Sequence, residues 1–336
     1  MATTEEALRR WVERPRALLV GLGGAGTETV SDIEGPGLPE AIEALAINTD
    51  GHHLYSQNVS QKLLLGEMEL HGRGSGGDRA AVANLLAKEK DRLVSVFRPY
   101  HLVFLFAGLG GGTGSALLPF CTAACREAGA LPIPVAMLPF EVELESNPTR
   151  RENAQATLRE MIAAGGFFVV LSNEKLRRFE SQPIKSVFQM RSTYLRQLTL
   201  SLMDMIEHPS EINVDLALVR HLIEEAGLST LMVAQGHMGD PEALLHQAVQ
   251  ESFLDFEINE PGPVLLHVEG GSNLSLRTHH RILETFRAGL KHPRHFVFGT
   301  RIMNNPSDGV RVTVIVGKLK AATVTRLVQP SGARQG

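Results

Sequence analysis

Three times in this chain a cluster of glycines precedes a helical stretch, twice directly behind an apolar run, and that arrangement admits few folds. Arg16-Ala-Leu-Leu-Val20 leads into Gly21-Leu-Gly23-Gly24-Ala-Gly26, and Leu102–Ala107 into Gly108-Leu-Gly110-Gly111-Gly112-Thr113-Gly114-Ser115. A third cluster, Gly72-Arg-Gly-Ser-Gly76-Gly77, opens the helix expected over Arg79–Val96. Glycine at a strand-to-helix turn lets the backbone approach an anion closely, and the helix N-terminus adds free N–H groups and a positive dipole end. One such turn suits a pyrophosphate. With Asp50 at the end of the following strand as a ribose-binding acid, Gly21–Gly26 also fits the dinucleotide fingerprint, so an NAD(P)-dependent oxidoreductase is the alternative reading. Two turns from one sheet, with a third loop beside them, suit a triphosphate gripped from several sides. Thr113 or Ser115 can cap the helix and offer a hydroxyl to phosphate. No GK[ST] occurs, so backbone amides rather than a Walker lysine carry the binding.

The rest of the pattern agrees. Strands are predicted at Ala44–Ile47, ending in Asn48-Thr-Asp50, and at Lys62–Leu65, Pro132–Leu138 and Phe167–Leu171. Their alternation with helices predicts an α/β fold with a mostly parallel, Rossmann-like sheet covered on both faces. From Ile184 to Glu207 a long helix follows, with Val187, Met190, Tyr194, Leu198, Leu202, Met205 and Ile206 on its apolar side. Past Pro209 the chain changes to strands near Thr230–Ala234, Val264–Val268, His295–Thr300 and Val310–Val316, with helices at Pro241–Glu251 and Arg277–Leu290: a smaller α+β domain. The expected units are an N-terminal helix (1–14), a nucleotide-binding domain (15–183), a central helix (184–208), a second domain (209–320) and a short flexible tail (321–336).

Composition narrows the function classes. A length of 336 residues with 43% apolar types supports one large or two medium cores. The net charge of −4 argues against wrapping nucleic acid, and 5% aromatic residues supply no stacking platform. Cys121 and Cys125 are expected as buried free thiols on one helix face. With no HExxH or CxxC spacing and two adjacent histidine pairs, His52-His53 and His279-His280, no metal site is expected. No run approaches the roughly 18–20 apolar residues of a spanning helix, and the charged N-terminus is unlike a signal peptide, so a cytoplasmic location is expected. Leu8, Trp11 and Val12 give the first helix an apolar side that packs on its own domain or weakly touches a membrane or partner.

GLGGGTGS at Gly108–Ser115 resembles the signature loop of the tubulin/FtsZ superfamily, and other stretches follow in that family's order, closer to FtsZ than to tubulin. Gly21–Gly26 resembles its first phosphate loop, Ala46-Ile-Asn48-Thr-Asp50 its second, and Gly72–Asp78 the loop near the γ-phosphate. Pro139-Phe-Glu-Val-Glu143 is similar to the ribose-contacting segment, with Arg151 as a base contact. Ser172-Asn173-Glu-Lys-Leu176 resembles the turn that meets guanine. Asn213-Val-Asp215-Leu-Ala-Leu218-Val-Arg220 is similar to the loop that inserts into the next subunit's site, and Arg311–Gly317 to the last strand of the activation domain. The resemblance spans residues 16–318. It implies GTP/GDP binding with Mg²⁺ carried on the nucleotide, a GTP-binding domain followed by an activation domain, and head-to-tail filaments with itself or a second FtsZ-like subunit.

Two departures carry functional weight. The inserted loop of the family supplies two acids; here the first is Asp215, preceded by Asn213, and the second is replaced by Leu218. A leucine neither accepts a proton nor orients water, and losing a positioned base costs on the order of 10²–10⁴ in rate, so slow GTP hydrolysis in a homopolymer is expected. On the central helix, Thr193, or Ser192 one position earlier, falls where the family has an acid or amide reading guanine. A hydroxyl cannot replace that fork, so guanine preference is expected to rest on Asn173 and weaken. Beyond Lys320 neither the long linker nor the adaptor peptide usual in FtsZ-type proteins follows, so contact with division adaptors through that peptide is not expected.

Overall fold

In the computed structural model, residues 15–207, 216–257 and 262–329 are described. Every apolar run read as a strand is one: β1 (Ala17–Leu22), β2 (Ile42–Asn48), β3 (Gln61–Leu64), β4 (Leu102–Gly108), β5 (Leu131–Leu138), β6 (Phe168–Ser172), β7 (Leu228–His237), β8 (Val264–Gly271), β9 (Phe296–Met303) and β10 (Gly309–Val316). β1 and β5 are buried at every residue, as strands covered on both faces must be. Pro132 and Pro134 fit inside β5 because its pairing with β6 begins only at Val135, which leaves an open side for the two missing N–H groups.

The ten strands form one sheet in the order β3-β2-β1-β4-β5-β6-β7-β10-β8-β9. Pairing is parallel from β3 through to β7. β10 then runs antiparallel between β7 and β8, while β9 is parallel to β8. The first six strands follow the doubly wound order, in which the chain reverses direction across the sheet between β1 and β4. Ligands of such sheets bind outside the carboxyl ends of the strands at that reversal.

The helices are α1 (Gly23–Ile33), α2 (Gly51–Ser56), α3 (Glu67–Leu70), α4 (Arg79–Phe97), α5 (Gly112–Glu127), α6 (Glu141–Ser146), α7 (Pro148–Ala164), α8 (Ile184–Glu207), α9 (Leu216–Glu224), α10 (Pro241–Gln250), α11 (Leu276–Gly289) and α12 (Ala322–Val328). Alternation along β1 divides the core: Leu19 joins Val30 and Ile33 of α1 and Leu195, Leu198 and Leu202 of α8 on one face. Leu18, Val20 and Leu22 join Leu85 of α4, Leu117 of α5 and Leu158 of α7 on the other. A third cluster fills the second domain, with Leu266 and Val268 of β8 against Ile282 and Phe286 of α11. α8 spans the two parts: its Asp204 pairs with Arg301 of β9. Beside that pair, burial pushes the His267 imidazole down to about 4, so it stays neutral in the sheet.

The structure departs from the sequence reading in four places. Residues after 320 are not simply a flexible tail: Ala322–Val328 is helix α12, with Val324 and Leu327 buried and the Val328 carbonyl accepting from Arg159 at 2.9 Å. Helix α7 was not anticipated, because its buried side mixes Asn153 and Thr157 with Ala154, Leu158 and Met161 and so hides the apolar period. α1 begins at Gly23, four residues before the expected Thr27, since glycines mask a helix start. Met190, expected on the apolar side of α8, is 40% exposed. The expected helix over Thr4–Arg14 lies outside the described residues.

Candidate functional site

At the carboxyl ends of β1 and β4 the two glycine turns lie against each other. A Cβ on Gly23 would stand 2.8 Å from the Gly114 nitrogen, one on Gly114 would stand 2.7 Å from the Gly108 oxygen, and one on Gly26 would run into the Phe106 carbonyl. Gly21, Gly108, Gly110 and Gly112 are likewise packed: their added Cβ atoms would meet Gly26, Ala25, Arg150 and Ser75. Gly21, Gly23, Gly26 and Gly114 serve close approach of backbone to backbone, while Gly108, Gly110 and Gly112 make room first for the side chains of Ala25, Arg150 and Ser75. Three others face outward. A Cβ on Gly76 or Gly111 would have nothing within 4 Å, and one on Gly24 would reach only the His53 ring at 3.9 Å.

The helices that start here have no side-chain caps: neither Leu22 before α1 nor Gly111 before α5 offers one. Asp78, Asn147, Asp240 and Ser275 do cap α4, α7, α10 and α11. The first N–H groups of a helix need partners, so two uncapped N-termini side by side form a set of donors suited to an anion. Thr113 and Ser115 do not cap α5, because they lie inside it. Ser115 Oγ accepts from the Gly110 N–H at 2.9 Å and closes the turn, while Thr113 Oγ1 stands 2.7 Å from Thr49 Oγ1 and 3.3 Å from Ser75 Oγ.

The third loop is tied onto the end of β2. Gly51 N–H donates to the Gly72 carbonyl at 2.9 Å, and Gly74 N–H to the Thr49 carbonyl at 3.1 Å. Asn48, only 3% exposed, folds its Oδ1 back onto the N–H groups of Thr49 and Asp50 at 2.8 and 3.3 Å. Asp50 caps α2, its Oδ1 accepting from His53 N–H at 2.9 Å. The same side chain was the ribose acid of the dinucleotide reading, and its capping role gives that alternative no support. Gly77 meets the Gly110 turn through Asn153 of α7, whose Nδ2 donates to both carbonyls at 2.9 and 3.1 Å. Thr157, one turn on, donates to the Ser115 carbonyl at 2.8 Å. Sequence reasoning missed both residues along with their helix; an Asn and a Thr four apart in a run of fair helix formers were the available signal.

Toward the other end lie the residues expected to meet ribose and base. Pro139 packs beside the Gly110 turn. Glu143 accepts from the Phe140 N–H at 3.1 Å and pairs with Arg150 at 2.7 Å. It is Arg150, not Arg151, that lies along the Gly110 turn; Arg151 lines a depression with Glu145, Thr323 and Arg326. One residue of helix is a rotation of about 100°, which carries the neighbouring arginine away. Asn173 lies at the end of β6, where its Oδ1 accepts from Arg191 of α8 at 2.9 Å. Thr193 is exposed and donates to the Gln189 carbonyl of its own helix at 2.9 Å. Ser192 bonds Asp32 at 2.9 Å. The side chain that reaches Asn173 is thus Arg191, which sequence reasoning did not single out. Asn213 and Asp215 lie outside the described residues, and Leu218 falls in the backbone of α9.

Among the described residues no helix is long and apolar enough to cross a membrane. A Tubulin/FtsZ family GTPase-domain model matches residues 16–181, and an FtsZ family C-terminal-domain model matches residues 232–320. The cell division protein FtsZ of Methanothermobacter thermautotrophicus is 29% identical over 322 residues, covering 94% of this chain and 83% of that protein. A structure described as an FtsZ dimer, empty, from M. jannaschii superposes with a TM-score of 0.77 at 25% identity, over 94% of this chain and 92% of that one. CetZ2 of Haloferax volcanii, 18% identical, shares the fold with a TM-score of 0.79 over 93% of this chain and 96% of its own. The glycine turns at the strand reversal and the two consecutive family matches agree, and the chain belongs to the tubulin/FtsZ superfamily.

Proposed function

We propose that this chain binds GTP on its three glycine loops, assembles head to tail with copies of itself, and turns the nucleotide over slowly. One observation carries the reading: the uncapped N-termini of α1 and α5 stand side by side, with open space at Gly24 and Gly111 and at Gly76 of the third loop. That donor set fits a polyphosphate, and the backbone of Gly24, Gly111 and Gly112 would hold it without a lysine. Mg²⁺ would ride on the phosphates, mostly hydrated.

Assembly is supported by the relatives: FtsZ of M. thermautotrophicus is named for cell division, and the M. jannaschii FtsZ is described as a dimer. A head-to-tail contact is heterologous and grows into an open filament. In such a filament the Asn213–Arg220 segment of one subunit would close on the glycine loops of the next, bringing Asp215 and, in place of a second acid, Leu218. A cell-division or related cytoskeletal role follows from this reading.

The test is phosphate release from GTP with Mg²⁺ across a series of protein concentrations. GTP binds, and release stays slow at every concentration. Leu218→Asp raises release on the order of 10²-fold once assembly begins. Fast release by the unaltered chain above a threshold concentration, unchanged in the variant, would show that Asp215 suffices and that Leu218 is no impairment. Release restored only by adding a second FtsZ-like subunit would point to a mixed polymer.

A further inference from the structure

Helix α11 carries a charge pattern that its own fold does not require. Its inner side packs into the second domain, where His279, Ile282, Leu283 and Phe286 are buried. Its outer side and the turn that follows expose Arg277, Arg281, Arg287, Lys291 and Arg294. Across residues 276–295 these five cations stand against one acid, Glu284, in a chain whose net charge is −4. Leu276, the first residue of the helix, is 83% exposed.

Three local costs accompany this display. Arg277 lies in the first turn of α11, where the helix dipole disfavours a cation and no acid shares the turn. Arg277 and Arg281 are four residues apart, so two like charges stand on one side of the helix. At the other end the helix closes on Lys291 and His292, both in the left-handed region with φ of 59° and 51°, their N–H groups donating to the Ala288 and Arg287 carbonyls. Glycine adopts that conformation without a steric penalty and commonly ends a helix there. Nearby acids offset little: Glu242 of α10 and Glu284 stand 4.0 Å from Arg281 and Arg287, and all four side chains are exposed. Cations that the helix itself disfavours point to a contact outside the molecule.

We propose that the outer face of α11 docks on an anionic lipid bilayer, with its cations on the headgroups and Leu276 entering the interface. The helix has 14 residues, a length of about 21 Å, and a row of cations along it suits a flat array of anions. The exposed positions of residues 276–295 include no Phe, Tyr or Trp on which bases could stack, and a phosphodiester backbone has no use for Leu276. An acidic peptide favours a groove or a strand edge, and the back of a helix is neither. The glycine loops take no part in this contact, so it stands or falls apart from the nucleotide reading. Each Lys or Arg near an anionic bilayer strengthens binding about fivefold, and salt screens the attraction.

The experiment is co-sedimentation of the purified full chain, without nucleotide, with vesicles of phosphatidylcholine alone or mixed with phosphatidylglycerol. The chain binds the anionic vesicles at least about tenfold more tightly than the neutral ones, and about 1 M salt releases it. Arg277→Glu with Arg281→Glu, both at exposed positions, lowers that binding by about 25-fold or more. Lys291→Gly lowers it about fivefold without lowering the urea midpoint, since glycine suits the left-handed turn. Lys62→Glu, at the β3 edge of the sheet, leaves it unchanged. Equal binding to both kinds of vesicle, binding to neither, or a loss in Lys62→Glu equal to that of the arginine pair overturns the assignment. So does retention by poly-aspartate or DNA with no binding to anionic vesicles, which gives the face to another class of polyanion.

Discussion

The two ends of the candidate site are built from different materials. At the glycine end the functional groups are backbone: two helix N-termini without caps, packed glycine against glycine, with Gly24, Gly76 and Gly111 facing out. At the Asn173 end they are side chains: Asn173 accepts from Arg191, and Thr193, exposed on α8, donates to the Gln189 carbonyl of its own helix. The packed glycines behind the backbone-built surface are held by close approach and cannot change without disturbing the turn, whereas its outward positions have open space in front of them. A surface built from side chains on α8 can exchange one residue for another at the cost of a single rotamer.

The largest effect that would break this contrast lies among the packed glycines. Gly26→Ala sets a methyl against the Phe106 carbonyl, and overpacking against backbone lowers unfolding free energy by about 3 kcal/mol, read by urea denaturation. A loss below about 1 kcal/mol would mean that the two turns give way, and that their contact does not fix the donor set. The smallest effect sharpens the other end. Thr193→Asp alters GTP affinity by less than about threefold, since an acid there faces solvent and the charge is screened. A tenfold gain by titration would bring the base to the Thr193 side of α8.

The same division decides what the sequence discloses. Glycine clusters behind apolar runs give the doubly wound sheet and its open end directly, because no other residue tolerates those approaches. The two halves of the sheet are also legible, down to β8 and β10, from unbroken runs of branched residues. What escapes is structure whose buried face is polar. Asn153 and Thr157 of α7 hold the Gly77, Gly110 and Ser115 carbonyls together, yet they interrupt the apolar period that would reveal their helix. α12 is short, with only Val324 and Leu327 buried, and so reads as a tail. Helical register is the other blind spot. Arg150 and Arg151, or Arg191 and Thr193, differ by one or two positions in sequence and by whole faces in space. An ungapped count leads to Thr193, which is exposed, while Arg191 two positions earlier turns inward.

The central claim is that the outward glycines form the floor of a phosphate site. Gly111 tests it most directly, because a Cβ there meets nothing within 4 Å and its φ of −74° suits any residue. Titration of GTP against the unaltered chain and Gly111→Ala, with urea denaturation of both, separates stability from binding. The account predicts stability unchanged within about 1 kcal/mol and GTP affinity reduced about tenfold or more, as the methyl holds the phosphates off the α5 amides. Equal affinity for GTP in the two proteins would contradict it.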